Sequence, residues 1–192
     1  MGKGRLEAFS DGVIAIIITI MVLELNVPHS AEWSTLVPVL PVFGSYVMSF
    51  VFVGIYWNNH HHMLHASGKV NGAILWANMH LLFWLSLVPF VTGWMGENHF
   101  GAAPVALYGV VMLMAGVAYF ILAQALTRHH GKDSALAIAL GKDHKGIASL
   151  VIYVIGVGCS FVNSWVAVAL YVLVSVIWFI PDRRIEKVLN ER

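Results

Sequence analysis

GIASLVIYVIGVGCSFVNSWVAVALYVLVSVIWFIP, residues Gly146 to Pro181, contains no charged side chain. As one straight helix it would be about 54 Å long at 1.5 Å per residue, against roughly 30 Å of hydrocarbon in a bilayer. The polar centre of the run, Cys159-Ser160-Phe161-Val162-Asn163-Ser164, therefore predicts a break and two short spans, about 147–163 and 165–181. Lys145 and Arg183 frame the run. If positive residues stay in the cytoplasm, both lie on one side, and the chain between them crosses twice or re-enters. Two crossings is the expectation.

Four further charge-poor stretches lie upstream, at about 8–27, 35–58, 70–95 and 103–127. All 11 Lys and Arg fall at the termini or in alternate connections of the six segments, and so on one side of the membrane. They are Lys3 and Arg5 at the N-terminus, Lys69, then Arg128, Lys132, Lys142 and Lys145, and finally Arg183, Arg184, Lys187 and Arg192. The connections between them hold only Glu32 and Glu97 among charged residues. That asymmetry predicts cytoplasmic N- and C-termini and a multi-pass protein.

Composition agrees with a lipid solvent. Apolar residues make up 59% of the chain and charged residues 11%, with a mean hydropathy of +0.78. Soluble domains run near 45–50% apolar and 25% charged. The 192 residues suffice for one all-α bundle, read as a single domain over 1–192. Cys159 is the sole cysteine, which excludes an intrachain disulfide and a thiolate metal cage. No small-residue cleavage site follows the first apolar stretch, so that stretch is expected to be a structural span. Walker A loops, dinucleotide fingerprints and basic aromatic patches are missing, and no nucleic-acid partner is expected.

The first span carries the chemistry: Arg5-Leu6-Glu7-Ala8-Phe9-Ser10-Asp11-Gly12-Val13-Ile14-Ala15-Ile16, continuing to Glu24-Leu25-Asn26-Val27-Pro28. A carboxylate one turn inside an apolar stretch is costly unless paired, so Asp11 is a functional candidate. The plainer reading makes Ser10 and Asp11 a helix cap at the interface. At 100° per residue Ile16, Ile20 and Leu23 share one stripe that Phe9, Gly12 and Val27 extend, with Thr19 beside it. Asp11 points roughly the other way. Spacing leaves open whether this stripe meets lipid, core or a pore.

The segment Phe9-Ser10-Asp11-Gly12-Val13, preceded by Arg5 and followed by Ala15-Ile16 and Leu23-Glu24-Leu25, resembles the first-helix signature of the transmembrane protein 175 family. These are lysosomal potassium channels and their bacterial single-repeat relatives. Trp57-x-Asn59-His60-His61 is similar to that family's second-helix stretch, and Trp76-x-Asn78 with Pro89-Phe90 to its third. The resemblance implies a six-transmembrane-helix bundle that assembles as a homotetramer around its first helices in the bacterial inner (plasma) membrane. It implies a potassium-permeable cation channel, with a pore constriction at Ile16 and further rings at Ile20 and Leu23. Thr19 matches the hydroxyl position linked to potassium preference. Arg5, Ser10 and Asp11 match residues that bond to the second and third helices, here through Trp57, Asn59, His60, His61 and Asn78, with Phe9 in the same network. Monovalent cations and lipid are the implied partners, with permeant K+ in the pore and no resident cofactor. Two departures are His62, where an Arg is usual, and His80 within the third span.

Two other readings compete. His60-His61-His62-Met63-Leu64-His65 contains an H-H-x-x-H spacing like one box of a membrane di-iron enzyme, though such enzymes need several boxes. Asp11 is also a possible relay of a proton-coupled transporter, although it lies near the cytoplasmic edge rather than at the midplane. Val154-Ile155-Gly156-Val157-Gly158 faintly resembles a potassium filter; without a preceding Thr, Gly156 and Gly158 read as close-packing positions.

Overall fold

The computed structural model describes residues 2–131 and 144–179. The loop charges Lys132 and Lys142, the end of the expected sixth span, and the tail bearing Arg183, Arg184, Lys187 and Arg192 lie outside the described residues. Every regular element among the described residues is helical. In a solvent that offers no hydrogen bonds this satisfies each backbone group within its own segment.

Helix α1 (Lys3–Leu23) stops short of Asn26-Val27-Pro28, where the proline disfavours helical backbone before it. A 3₁₀ turn, Trp33–Val39, leads into α2 (Leu40–His65), whose Pro41 sits in the first turn, where a missing N–H costs nothing. The helix continues well past 58, the expected end of the second span. Charge-free length marks what lipid tolerates, whereas the histidines that follow contain no helix breaker. Asn71 caps α3 (Gly72–Ser86), its Oδ1 accepting from the Ile74 N–H at 3.0 Å.

The third span is not one helix. It divides at Leu87 into α3 and α4 (Val88–Glu97), because Pro89 has no N–H to give the carbonyl of Leu85. A tight turn follows, in which His99 (φ 48°) and Phe100 (φ 58°) adopt left-handed backbone. Phe100 is buried and stacks on Trp165 with ring centroids 5.0 Å apart. Helix α5 (Ala102–His130) ends at Gly131, whose φ of 87° suits glycine.

The charge-free run divides where expected, into α6 (His144–Cys159) and α7 (Ser164–Phe179). Asn163 Oδ1 accepts from the N–H groups of Trp165 (3.0 Å) and Val166 (3.4 Å), starting α7.

Helix α5 is the pillar of the bundle, packing against α3, α4, α6 and α7, while α1 packs against α2, α3 and α4. In lipid, helices are held by close packing and polar contacts rather than by the hydrophobic effect. Both devices are present. A Cβ on Gly109 of α5 or Gly156 of α6 would run into the ring of Tyr171 on α7, so glycine permits that approach. Gly158, expected to pack in the same way, instead faces open space. Ser49 of α2 bonds to Thr92 of α4 (2.7 Å) and Tyr108 of α5 (3.1 Å), tying three helices at one buried point.

Candidate functional site

Two faces of α1 have opposite surroundings. Leu6, Ser10, Ile14, Ile17 and Met21 recur at helical spacing and are buried against the bundle. On the other side Phe9, Ile16, Ile20 and Leu23 are uncovered, at 48%, 57%, 43% and 77% exposure. Arg5 and Gly12 continue this uncovered stripe toward the N-terminus.

A directed chain of hydrogen bonds fixes the buried face. Ser10 Oγ donates to the Leu6 carbonyl one turn back (2.8 Å). The Asn78 amide of α3 donates to Ser10 Oγ (2.9 Å), which leaves its Oδ1 to accept from His60 Nε2 of α2 (2.7 Å). All three side chains are buried. Three helices thus meet through one asparagine, which donates to one neighbour and accepts from another.

A second tie lies nearer the surface. The Trp57 indole N–H donates to Asp11 Oδ1 at 2.9 Å. His61 stacks on Trp57 (5.9 Å between centroids), and His65 stacks on His61 (6.0 Å). Lys3 Nζ donates to the His65 carbonyl (3.0 Å) and pairs with Glu7 (3.6 Å), joining the start of α1 to the end of α2.

Of the residues singled out from sequence, Ser10, Asp11, Trp57, His60, His61 and Asn78 converge on this junction. Three do not. Arg5 and Phe9 lie on the uncovered stripe, and Arg5 makes no side-chain bond to the described residues. Asn59 is turned away: its amide donates to the Ile55 carbonyl (2.8 Å) and its own carbonyl accepts from Tyr119 of α5 (3.4 Å). His80 accepts from the Trp84 indole at 3.0 Å within its own helix.

Thr19 sits beside the stripe with its hydroxyl donating to the Ile16 carbonyl at 2.9 Å. Between α1 and the α3–α4 break runs an open cleft of about 480 Å³, bordered by Ile16, Ile20, Glu24, Ser86 and Phe90. Glu24 folds over Gly93, where a Cβ would stand 3.0 Å from its carboxylate. Among the described residues no three His, Cys, Asp or Glu side chains converge as metal ligands. The histidine run cannot gather, because His60 points inward to Asn78 while His61 and His65 stack along another face.

The sequence reading overlooked the Ser49–Thr92–Tyr108 knot and the Lys3–His65 tie. Hydroxyls inside otherwise apolar spans were the available signal for the first.

An all-helical membrane protein whose first helix is bonded into the bundle on one face and bare on the other defines a polytopic protein of channel architecture. Residues 5–89 match the family model described as endosomal/lysosomal potassium channel TMEM175. A potassium channel of Chryseobacterium sp. (strain P1-3) is 54% identical over 191 residues, covering 100% of both chains. A potassium channel of Streptomyces collinus is 34% identical over 134 residues, or 66% of this chain and 65% of that one. Over 73 residues the chain is 40% identical to the endosomal/lysosomal proton channel TMEM175 of Bos taurus, covering 32% of this chain and 15% of the bovine one. The fold superposes on the crystal structure of a lysosomal potassium-selective channel TMEM175 homolog from Chamaesiphon minutus, with a TM-score of 0.82, 25% identity, and coverage of 94% and 97%. The chain belongs to the TMEM175 family. Its members are ion channels, not enzymes.

Proposed function

We propose that this chain forms a potassium-permeable cation channel of the bacterial inner membrane, a homotetramer whose conduction path narrows at α1. Ile16 is the tightest ring, Ile20 and Leu23 are further rings, and Thr19 sets the preference for potassium. One observation carries the reading. The polar bonds of Ser10 and Asp11 commit one face of α1 to its own bundle and leave Ile16, Ile20 and Leu23 uncovered in a continuous seam. A fourfold axis along that seam would bring together four copies of each ring.

Such a ring works without charge. Four sec-butyl groups exclude water from a narrow pore, and ions cannot pass through a dry segment. A small outward tilt of α1 would wet it. The path holds permeant K+ and needs no resident cofactor.

Potassium flux into liposomes carrying the pure protein, with sodium as the comparison, tests the activity. Ile16→Asn tests the ring. Four amides in place of four apolar groups should admit water and raise flux of both ions, while a cysteine at the same site should confer block by cadmium. Wild-type flux with no gain in Ile16→Asn and no cadmium block in Ile16→Cys would remove α1 from the pore. No flux in the wild type would remove the channel reading itself.

A further inference from the structure

At the Lys-rich end of the bundle two adjacent histidines of α5 grip the turn between α2 and α3. His130 Nδ1 lies 2.9 Å from the Leu126 carbonyl, which can only accept, so Nδ1 carries a proton. His130 Nε2 faces two backbone N–H groups, Gly68 at 2.9 Å and Lys69 at 3.1 Å, so it must be the bare, accepting nitrogen. His129 repeats the arrangement. The Oδ1 of Asn71 is occupied by the Ile74 amide, so its Nδ2 donates to His129 Nδ1 at 3.2 Å. The two rings stand edge to face, 5.1 Å apart.

Both histidines therefore hold the turn only as neutral acceptors. We propose that His129 and His130 form a proton-sensitive latch, which fastens the α2–α3 turn to α5 when neutral and releases it when protonated. A proton on His130 Nε2 would point at two donors, and one on His129 Nδ1 would face the Asn71 amide; each bond turns from attraction to repulsion. The latched state thus binds fewer protons than the released one. The latch is complete while both rings are neutral and is lost when they take up protons.

Among the described residues, the charged and titratable groups at this end are mostly basic. Lys69 comes from the turn, Arg128 from α5 itself, His62 and His65 from the end of α2, and His144 and Lys145 from the start of α6. The first two turns of α3 carry no charged group. Among the described carboxylates at this end, Glu7 is engaged by Lys3. The released turn is the link between His60 on α2 and Asn78 on α3, the pair that grips Ser10 of α1. The inference does not depend on whether the chain conducts.

Hydrogen exchange of the full-length protein in detergent or nanodiscs reads the latch directly. Between about pH 8 and pH 5.5, the interval in which imidazoles change charge, protection of the Gly68 and Lys69 amides should fall. After correction for intrinsic exchange, the fall should be about fivefold or more, the scale of one lost hydrogen bond. His130→Gln keeps an acceptor and cannot titrate, so its protection should vary far less with pH. His62→Gln removes a nearby imidazole that touches neither amide and should behave as the wild type. Equal wild-type protection at both pH values overturns the proposal whatever the variants do. So does a pH dependence that survives in His130→Gln.

Discussion

The two faces of α1 are almost equally apolar and yet do different work. Ile14, Ile17 and Met21 are covered by the bundle, while Ile16, Ile20 and Leu23 are bare. Nothing in side-chain type separates these sets. The difference comes from Ser10 and Asp11, whose bonds to Asn78 and Trp57 act as two pegs that fix the rotation of the helix. In lipid, burying one isoleucine or another is nearly isoenergetic, so a few polar contacts decide which face turns inward. A membrane helix can thus keep an apolar surface free for a purpose other than stability.

The largest effect on stability should come from breaking the inner peg. Asn78→Leu keeps the side chain's approximate size but leaves His60 Nε2 without its acceptor and Ser10 without its donor, both in buried positions. Loss of about 2 kcal/mol is expected, since buried unpaired groups cost more than the average membrane hydrogen bond contributes. Thermal unfolding in detergent measures it. A loss no greater than that of an exposed control away from α1, such as Val154→Ala, would mean that α1 is oriented by packing alone.

A smaller loss should follow at the outer peg. Trp57 is 43% exposed, and Trp57→Phe removes only its bond to Asp11 while keeping much of the stack on His61. About 0.6 kcal/mol is expected, the average for such bonds in a membrane protein. If the two pegs act as one device, Asn78→Leu with Trp57→Phe should lose a different amount from the sum of the singles. Strict additivity would make them independent.

Much of this was readable from the chain. Six apolar segments and the break near Asn163 follow from charge placement and the polar centre of the last run, whereas the meeting of Ser10 and Asp11 with α2 and α3 was implied only by the resemblance of the first-helix signature. What could not be read is rotation. Asn59 and His60 are neighbours in sequence, but at 100° apart one faces Tyr119 of α5 and the other Asn78 of α3. A helix that is apolar all round supplies no periodic signal to separate them. Arg5 misled for the same reason: it shares a stripe with Phe9 and Gly12, opposite the side from which Asp11 reaches Trp57. The division of the third span at Leu87 was visible in Pro89, but span length alone masked it.

The smallest expected effect on stability is at Thr19, and it is the most discriminating for the bare face. Its hydroxyl donates to the Ile16 carbonyl within the same helix, at 2.9 Å, and the side chain is exposed. Thr19→Val is close in shape, removes no contact between helices and should stay within about 0.5 kcal/mol of the wild type. Its consequence for a conduction path would be larger. The hydroxyl oxygen keeps lone pairs that a partly dehydrated cation next to the Ile16 and Ile20 levels could use, and four such oxygens favour the ion whose size they fit. Valine offers none. The expected result is a lower potassium-to-sodium permeability ratio with current retained, measured as reversal potentials in bilayers under bi-ionic conditions. A loss of stability well beyond that limit would place Thr19 in a contact between copies of α1. An unchanged ratio with unchanged stability would show that ions do not pass along this face at that level.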